Sequence, residues 1–500
     1  MSSMAQQFPA LIVAIPLLAA LLTAPLGALN RRLCHPWLVL IMGFTLCLSL
    51  GVAGQVISSG PISYNMGGWE PPWGIAYRID QLNSLMLVLI SGTAFLGALY
   101  SGPSFAKELP GRQTYASALY LLMITSLLGI VITGDLFNIF VFLEISSLSA
   151  YGLIACGSPE APFATFRYII MGTIGASCYL LGVGYLYIST GSLNLYDLSG
   201  LLPQLYHSHV VLTAGALMLV GISLKMALFP LHAWLPEAYY TAPSTVSAVV
   251  ASLYTKVAGY LMIRVIYNLF EPRFFIEIFP ITTILSWAAV VALLIGSIYA
   301  IAQKDLKKML CYSVIAQVGY IVLGITLANQ AGYTSAILTI VSEVCTKSCI
   351  FLATGAIIYR LGNSRIDNLQ HLFRRMPYTM LAFTIGAFSM VGIPPTSGFF
   401  SKLYLLFGCL AAGNWVFIIA LLCSTILNVI YFFRVIMIAC FEEPQPDYQR
   451  QEAYPVVEVE EVPMAMLVPI LLAATSIIAA GLGSHWIVNN FVQPLLKVVF

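Results

Sequence analysis

Along the chain, apolar runs of about twenty residues recur, each closed by a short connection rich in polar residues, glycine or proline. Runs of this length and continuity predict membrane-crossing helices. The strands of a membrane barrel would be shorter and would alternate polar with apolar positions. Length and flanking punctuation predict about fourteen spans. They lie near 8–29, 36–57, 79–101, 114–133, 136–156, 163–189, 209–235, 243–269, 279–302, 307–328, 333–360, 378–411, 413–440 and 463–485. The seventh and twelfth are long and are interrupted by proline. One interruption reads LKMALFPLHAWLP and the other MVGIPPTSGFFSKLYLL. Paired interrupted helices in two halves of a chain point to an inverted repeat with an ion path between them. A broken helix frees backbone groups, which are tolerated at membrane depth only where protein or water covers them.

Composition agrees with this pattern. Of 500 residues, 60% are hydrophobic and 8% charged, against about 25% charged in a soluble chain; mean hydropathy is +0.91. The fold class is therefore an all-α polytopic membrane protein. The net charge of +2 is spread without a basic domain, so nucleic acid is not an expected partner. The longest connections, near 58–78 and 441–462, are too short to fold alone. Function is then carried inside the membrane or lent by partner subunits.

Charge in the connections sets an orientation. Arg31 and Arg32 follow the first apolar run, the reverse of a secretory signal, so a retained first helix is expected. With the N-terminus outside, the inner connections carry Arg31 and Arg32, Lys107 and Arg112, Lys304, Lys307 and Lys308, then Arg360, Arg365, Arg374 and Arg375. The outer connections at Gly60–Tyr77, Gly134, Leu195–His209 and Ala411–Trp415 are poor in Lys and Arg, a consistent positive-inside pattern. A bacterial inner membrane is the expected location. The inner stretch Glu442–Glu461 is acidic and reads either as a solvated connector or as a docking surface for a basic partner.

The ten cysteines are scattered and form no CxxC pair. Cys345 and Cys349, one turn apart, are expected to be packing residues. No metal or iron–sulfur pattern is visible, and no glycine-rich dinucleotide fingerprint follows a strand. No cofactor or metal site is expected in this chain; any electron transfer would belong to a partner.

The informative residues are charges inside the spans, where one costs roughly 2.5–3.5 kcal/mol at the helix centre. Glu144 lies about ten residues into the fifth span. It reads as the partner of Lys225 or as half of a purely structural ion pair. Lys225 and Lys256 lie on consecutive spans. Desolvation favours a neutral amine and a nearby carboxylate favours the ammonium. Moving Glu144 relative to Lys225 would therefore load or release a proton. The alternative for both lysines is snorkelling from helix ends. His232, beside the first break, suits a proton relay or a cap on freed carbonyls. Glu237 is placed toward the inner mouth. Glu343 and Lys347 stand at i and i+4, so they are expected to pair, as a relay link or as a self-satisfied couple. Lys402, after the second break, reads as a terminal proton site or as packing. Asp135 and Asp80 are expected to cap helices, and Arg167 and Arg264 to act mainly as inner anchors.

These motifs together carry a resemblance. TGDLFNIFVFLE around Glu144, LKMALFPLHAWLPEAYYTAPSTVSAVVASLYTKVAGY around Lys225 and Lys256, KDLKKMLCYSVIAQVGY at 304–320 and VGIPPTSGFFSK before Lys402 resemble the antiporter-like subunits of respiratory complex I, membrane-bound hydrogenases and multisubunit Mrp-type cation/proton antiporters. The likeness covers roughly 80–440 and looks strongest to the D-type member of the Mrp antiporters. It implies fourteen helices with two inverted five-helix repeats, discontinuous seventh and twelfth helices, and a central polar axis. On that basis the chain divides into N-terminal helices (1–113), a first repeat (114–270), a second repeat (271–440) and an acidic loop with a C-terminal helix (441–500). It implies that Glu144, Lys225, Lys256 and Lys402 lie on that axis; joined with His232, Glu343 and Lys347 from the reading of the residues, they make up the expected proton path. The family often has histidine where this chain has Glu343.

The function this implies is a proton-translocating subunit of a cation (Na+ or K+)/proton antiporter, partnered by other membrane subunits. One alternative is a proton-pumping subunit of an NADH:quinone oxidoreductase or hydrogenase-type complex, marked by co-assembling iron–sulfur, flavin or nickel proteins. Others are a non-conducting scaffold, which the buried charges oppose, and an inorganic-carbon pump, marked by a zinc-binding soluble partner. Whether the chain is part of an enzyme is left open by the sequence.

Overall fold

The computed structural model describes residues 7–441 and 459–500. Among them, thirteen helices are long and apolar enough to cross a membrane: Phe8–Leu29, Arg31–Ser59, Gln81–Glu108, Gln113–Ile132, Leu136–Ala155, Ala161–Thr190, His209–Met226, Ser244–Leu269, Ile281–Ile301, Leu306–Thr326, Gln330–Leu361, Trp415–Cys440 and Met464–Leu482. Two shorter apolar helices, Pro377–Val391 and Ser397–Ala411, together supply the remaining crossing. Counted in chain order they are the two halves of the twelfth span. The seventh, His209–Met226, is continued after a break by Leu235–Thr241. One departure from an all-helical chain lies in the connection after the second span. Ile62–Asn65 and Ala76–Ile79 pair as an antiparallel ribbon.

Burial sorts the spans into centre and rim. Every residue from Ser244 to Arg264 in the eighth span is buried, and the tenth and eleventh are nearly so. The first, second and sixth keep wide exposed apolar faces, including Leu21, Leu40 and Ile188, as expected of surfaces that meet lipid or a partner helix.

Two local arrangements match across the halves. Before the fifth span, Asp135 accepts from the Asn138 backbone N–H (2.7 Å). Leu136 N–H donates to Leu193 C=O, and Leu195 N–H to Gly134 C=O, both at 2.9 Å. Before the tenth span, Asp305 accepts from Lys308 N–H (3.1 Å). Leu306 N–H donates to Ser364 C=O (2.7 Å), and Ile366 N–H to Lys304 C=O (2.9 Å). In both cases the strap comes from the connection after the following span. That span ends on a left-handed glycine, Gly191 (φ 75°) or Gly362 (φ 77°), a conformation that costs a side-chain-bearing residue energy. Five crossings separate the two straps, so they lie on opposite faces.

The expected inner anchor Arg264 is placed differently. Its Nη2 lies 2.5 Å from Asp80 Oδ1, while Asp80 also caps the third span through Leu82 N–H (2.9 Å) and Asn83 N–H (3.1 Å). Arg264 Nε donates to Tyr260 OH and Nη1 to Asn268 Oδ1, each at 3.1 Å. Asp80 begins the third span, so Arg264 lies at the face where that span starts, opposite the face that carries Arg31, Arg32, Lys107 and Arg112. The parity of the spans, rather than a preference of arginine for inner ends, decides its side. Burial pushes the Asp80 carboxyl up, but the Arg264 charge and its hydrogen bonds hold it below the usual value. Removing one member of such a pair strands a buried charge, at about 3–5 kcal/mol. Asp80→Ala is therefore expected to lower the melting temperature of the detergent-extracted protein more than Asp80→Ala/Arg264→Met does. Equal losses would show that the pair is not coupled.

Residues 442–458 of the acidic stretch lie outside the described residues. Its described end is bound rather than merely solvated. Glu460 pairs with Arg375 at 2.6 Å. The Glu461 carboxylate accepts from Tyr378 N–H (2.7 Å), Thr379 N–H (3.1 Å) and Thr379 Oγ1–H (2.7 Å). A residue distant in sequence thus caps the first half of the twelfth span.

Candidate proton path

The break in the seventh span follows Met226, where Ala227 takes a left-handed conformation (φ 58°). Lys225 is therefore in the last helical turn, where freed carbonyls favour a cation. Its Nζ donates to Ser147 Oγ at 2.6 Å and lies 3.9 Å from Glu144 Oε1. Ser147 and Glu144 share the fifth span, one turn apart, and present one face to the ammonium. At 3.9 Å the carboxylate is close enough to bias the charge yet beyond direct hydrogen-bond reach, and Glu144 Oε1 is buried with no hydrogen-bond partner.

His232 lies inside the break, stacked on Phe229 with ring centroids 5.2 Å apart. Its Nδ1 is buried without a hydrogen-bond partner. At the end of the first half-helix, Leu224 C=O accepts from Ala227 N–H and from Trp234 Nε1–H, both at 3.1 Å. Past the break, Glu237 pairs with Lys308 at 2.9 Å, tying the seventh span to the tenth.

The central pairing differs from the i, i+4 expectation. Glu343 Oε2 lies 3.7 Å from Lys256 Nζ, whereas Lys347 donates to Ser313 Oγ at 2.6 Å and forms no ion pair with Glu343 among the described residues. Sequence spacing compares residues on one helix. Here the eighth and eleventh spans pack directly against each other, and Lys256 from the neighbouring helix takes the carboxylate. Lys256 also donates to Ala251 C=O at 2.8 Å. Lys256, Glu343 and Lys347 are all buried, so one carboxylate stands among two amines.

The break in the twelfth span follows Val391, with Gly392 left-handed (φ 92°). Lys402, from the second half, folds back onto it. Its Nζ donates to Met390 C=O (2.7 Å) and Val391 C=O (3.0 Å) and sits 5.1 Å from the Tyr320 ring centroid. The ammonium occupies the negative end of a half-helix dipole. Lys225 and Lys402 thus serve corresponding breaks from opposite sides, one before its break and one after.

Hydroxyl groups that the charges alone do not reveal lie between these stations. Tyr254 OH donates to Ser146 C=O at 2.5 Å, Ser348 Oγ to Ser252 Oγ at 3.1 Å, and Tyr320 OH to Ser424 Oγ at 3.0 Å. Ser147 and Ser313 play the same part, each bonding a lysine. Serine is also a common helix-packing residue in membranes, so its abundance carries little signal until its neighbour is known.

Known proteins share this fold. Residues 133–428 match the family described as NADH:quinone oxidoreductase/Mrp antiporter, transmembrane. The chain is 42% identical to the N-type subunit of the NADH-quinone oxidoreductase of Desulforudis audaxviator (strain MP104C), covering 99% of each. It is 29% identical to the D-type subunit of the Na(+)/H(+) antiporter of Bacillus subtilis (strain 168), covering 98% of this chain and 97% of that one. Its fold superposes on a chain of the membrane-bound sulfane sulfur reductase, an archaeal respiratory membrane complex, with a TM-score of 0.90 and 32% identity, covering 99% and 98%.

Proposed function

The chain belongs to the NADH:quinone oxidoreductase/Mrp antiporter transmembrane family, and from that premise we propose that it translocates protons along Glu144, Lys225, Lys256, Glu343, Lys347 and Lys402, with His232 beside the first break. It is an antiporter-like membrane subunit of a multisubunit complex. The observation that carries the proton reading is the pairing of buried lysines with two loosely held carboxylates, Glu144 at 3.9 Å and Glu343 at 3.7 Å. Pairs at this distance can exchange a proton through one bridging water, and a small displacement changes which partner holds the charge.

The two halves act as inverted repeats with boundaries near 114–270 and 271–440. The matched straps at Asp135 and Asp305 and the matched breaks at Ala227 and Gly392 support this. The N-terminus faces outside, a reading supported by the basic connections.

Two hosts fit. A cation/proton antiporter is favoured by the 29% identity to the D-type antiporter chain over nearly the whole length of both. A redox-driven pump is favoured by the higher identity to the N-type oxidoreductase chain, 42% against 29%. Everted vesicles holding the assembled complex test both. Quenching of a pH-sensitive dye driven by an electron donor, with iron–sulfur and flavin subunits co-purifying, assigns the redox host. A response only to added Na+ or K+, with small membrane subunits alone, assigns the antiporter. A complex that moves no protons under either drive refutes the proton reading.

A further inference from the structure

A cavity of about 470 Å³ lies on the face that carries Lys107 and Arg112. The ends of five alternate spans converge on it. Glu108 closes the third span and Tyr240 the seventh, while Ser158, Asp305 and Asn363 follow the fifth, ninth and eleventh. Glu160 and Asn363 are exposed at its mouth. Ser244 and Lys307, 3% and 7% exposed, form its floor. At about 30 Å³ per water the space takes about fifteen waters. Lys307 requires some of them. One of its N–H groups reaches Ala242 C=O, it forms no ion pair among the described residues, and an ammonium has three donors to satisfy. A charge buried this deeply is costly unless those donors are met.

The corresponding place on the opposite face is closed. The strap before the tenth span lines the cavity through Asp305 and Ser364. The matching strap before the fifth span encloses only about 10 Å³, between Gly134, Tyr196, Tyr260 and Arg264, which is room for one water at most. At these two matched places, water is admitted from one face and excluded from the other.

A file of polar groups leads inward from the open side. Tyr100, Ser104 and Glu108 stand four residues apart along one side of the third span. Glu108 accepts from Ser104 Oγ–H (2.8 Å) and from Ser244 N–H (2.7 Å), and Ser104 Oγ accepts from Thr245 Oγ1–H (2.9 Å). The Tyr100 hydroxyl donates to Leu352 C=O at 3.1 Å. It fits there because residue 355 is glycine: a Cβ on Gly355 would lie 2.6 Å from that hydroxyl and 2.9 Å from Ser244 Cβ. Tyr100 OH therefore sits where the third, eighth and eleventh spans meet. Ser348 and Ser252, hydrogen-bonded at 3.1 Å, lie on the latter two spans, roughly 10 Å farther in. Ser252 is one turn from Lys256.

Resting on the proton reading above, we propose that this cavity is the aqueous entrance of the path: Glu108 takes up protons there, and the Tyr100 hydroxyl relays them toward Lys256. About three waters at hydrogen-bond spacing span the stretch from Tyr100 to Ser252. Tyr100 gives up one proton as it accepts another, so no charge is left on it.

Tyr100→Phe and Glu108→Gln test this in the assembled complex, by dye quenching in everted vesicles. Phenylalanine removes only the hydroxyl, and glutamine keeps an acceptor for Ser244 N–H. Each is expected to lower proton flux per assembled complex about tenfold. A purely structural role predicts instead a lower melting temperature with flux per complex unchanged. Hydroxyl-radical footprinting of the wild-type complex adds a readout free of substitution. Tyr100, although wholly buried, is expected to be oxidised by radicals formed from bound water. Tyr179, buried beside the closed strap at Leu136, is not. Wild-type flux in either variant overturns the proposal, as does labelling of Tyr100 no greater than that of Tyr179. If Glu144→Gln abolishes flux in those same vesicles, the proton path stands without this entrance; if it too runs at the wild-type rate, the path itself falls.

Discussion

Glu144→Gln is expected to slow proton translocation by about a hundredfold or more while leaving the complex assembled. Glutamine keeps the shape of the side chain and removes its charge and its exchangeable proton. Lys225 keeps its hydrogen bond to Ser147 (2.6 Å), so packing around the seventh-span break is retained. It loses the one carboxylate within 4 Å among the described residues and, with it, the bias between ammonium and amine. A structural ion pair predicts something else, and Lys225→Arg separates the two. Arginine keeps a permanent charge near Glu144 but does not give up its proton in a protein. A structural pair survives that change; a relay does not. The expected result is that Glu144→Gln and Lys225→Arg are both inactive in dye-quenching assays on everted vesicles, with normal bands on native gels. Rates near wild type in either variant would sink the assignment.

The helices and both breaks were legible because their causes are local. A run of about twenty apolar residues needs no partner to declare itself, and prolines grouped within a few residues, Pro230 with Pro236 and Pro394 with Pro395, mark both breaks, whereas the isolated Pro16, Pro25, Pro103 and Pro469 sit inside unbroken helices. The buried charges were legible for a related reason: Lys225, Lys256 and Lys402 stand out against apolar neighbours. What the sequence could not show is which charge faces which. Glu343 has Lys347 one turn away on its own helix, and spacing alone pairs them. The structure instead turns it toward Lys256, eighty-seven positions away in numbering, because the eighth and eleventh spans are packed together at the centre. Arg264 shows the same limit. Its place near a helix end suggested an anchor, yet the contact that defines it is Asp80, at the start of the third span. The straps at Asp135 and Asp305 were half visible. Asp135 reads as a cap from its place before an apolar run, Asp305 was not singled out, and the returning segment that pairs with each comes from two spans' length farther along the chain.

The revised centre yields the second large effect. Among the described residues Glu343 is the one carboxylate paired with Lys256 and stands one turn from Lys347, so its removal leaves two buried amines with Ala251 C=O and Ser313 Oγ as their polar partners there. Like charges in such a site cannot both be held. Proton handover between the halves then stops, and Glu343→Gln is expected to reduce translocation about as strongly as Glu144→Gln. The pairing decides how the effects combine. If Lys256 holds Glu343, Lys256→Met should add little to Glu343→Gln, because the first change has already broken the shared unit; coupling of roughly 0.5–3 kcal/mol is expected for residues in one ion-pair network. Lys347→Met should combine with Glu343→Gln more nearly additively, since its nearest partner is Ser313. Single and double variants are compared by residual proton flux in vesicles with matched amounts of assembled complex. Stronger coupling of Glu343 to Lys347 than to Lys256 would restore the same-helix pair and reject the cross-helix one. If the cross-helix coupling is found, the link between the two halves runs through the contact of the eighth and eleventh spans, and a motion that separates those helices by an ångström or two is enough to open or close it.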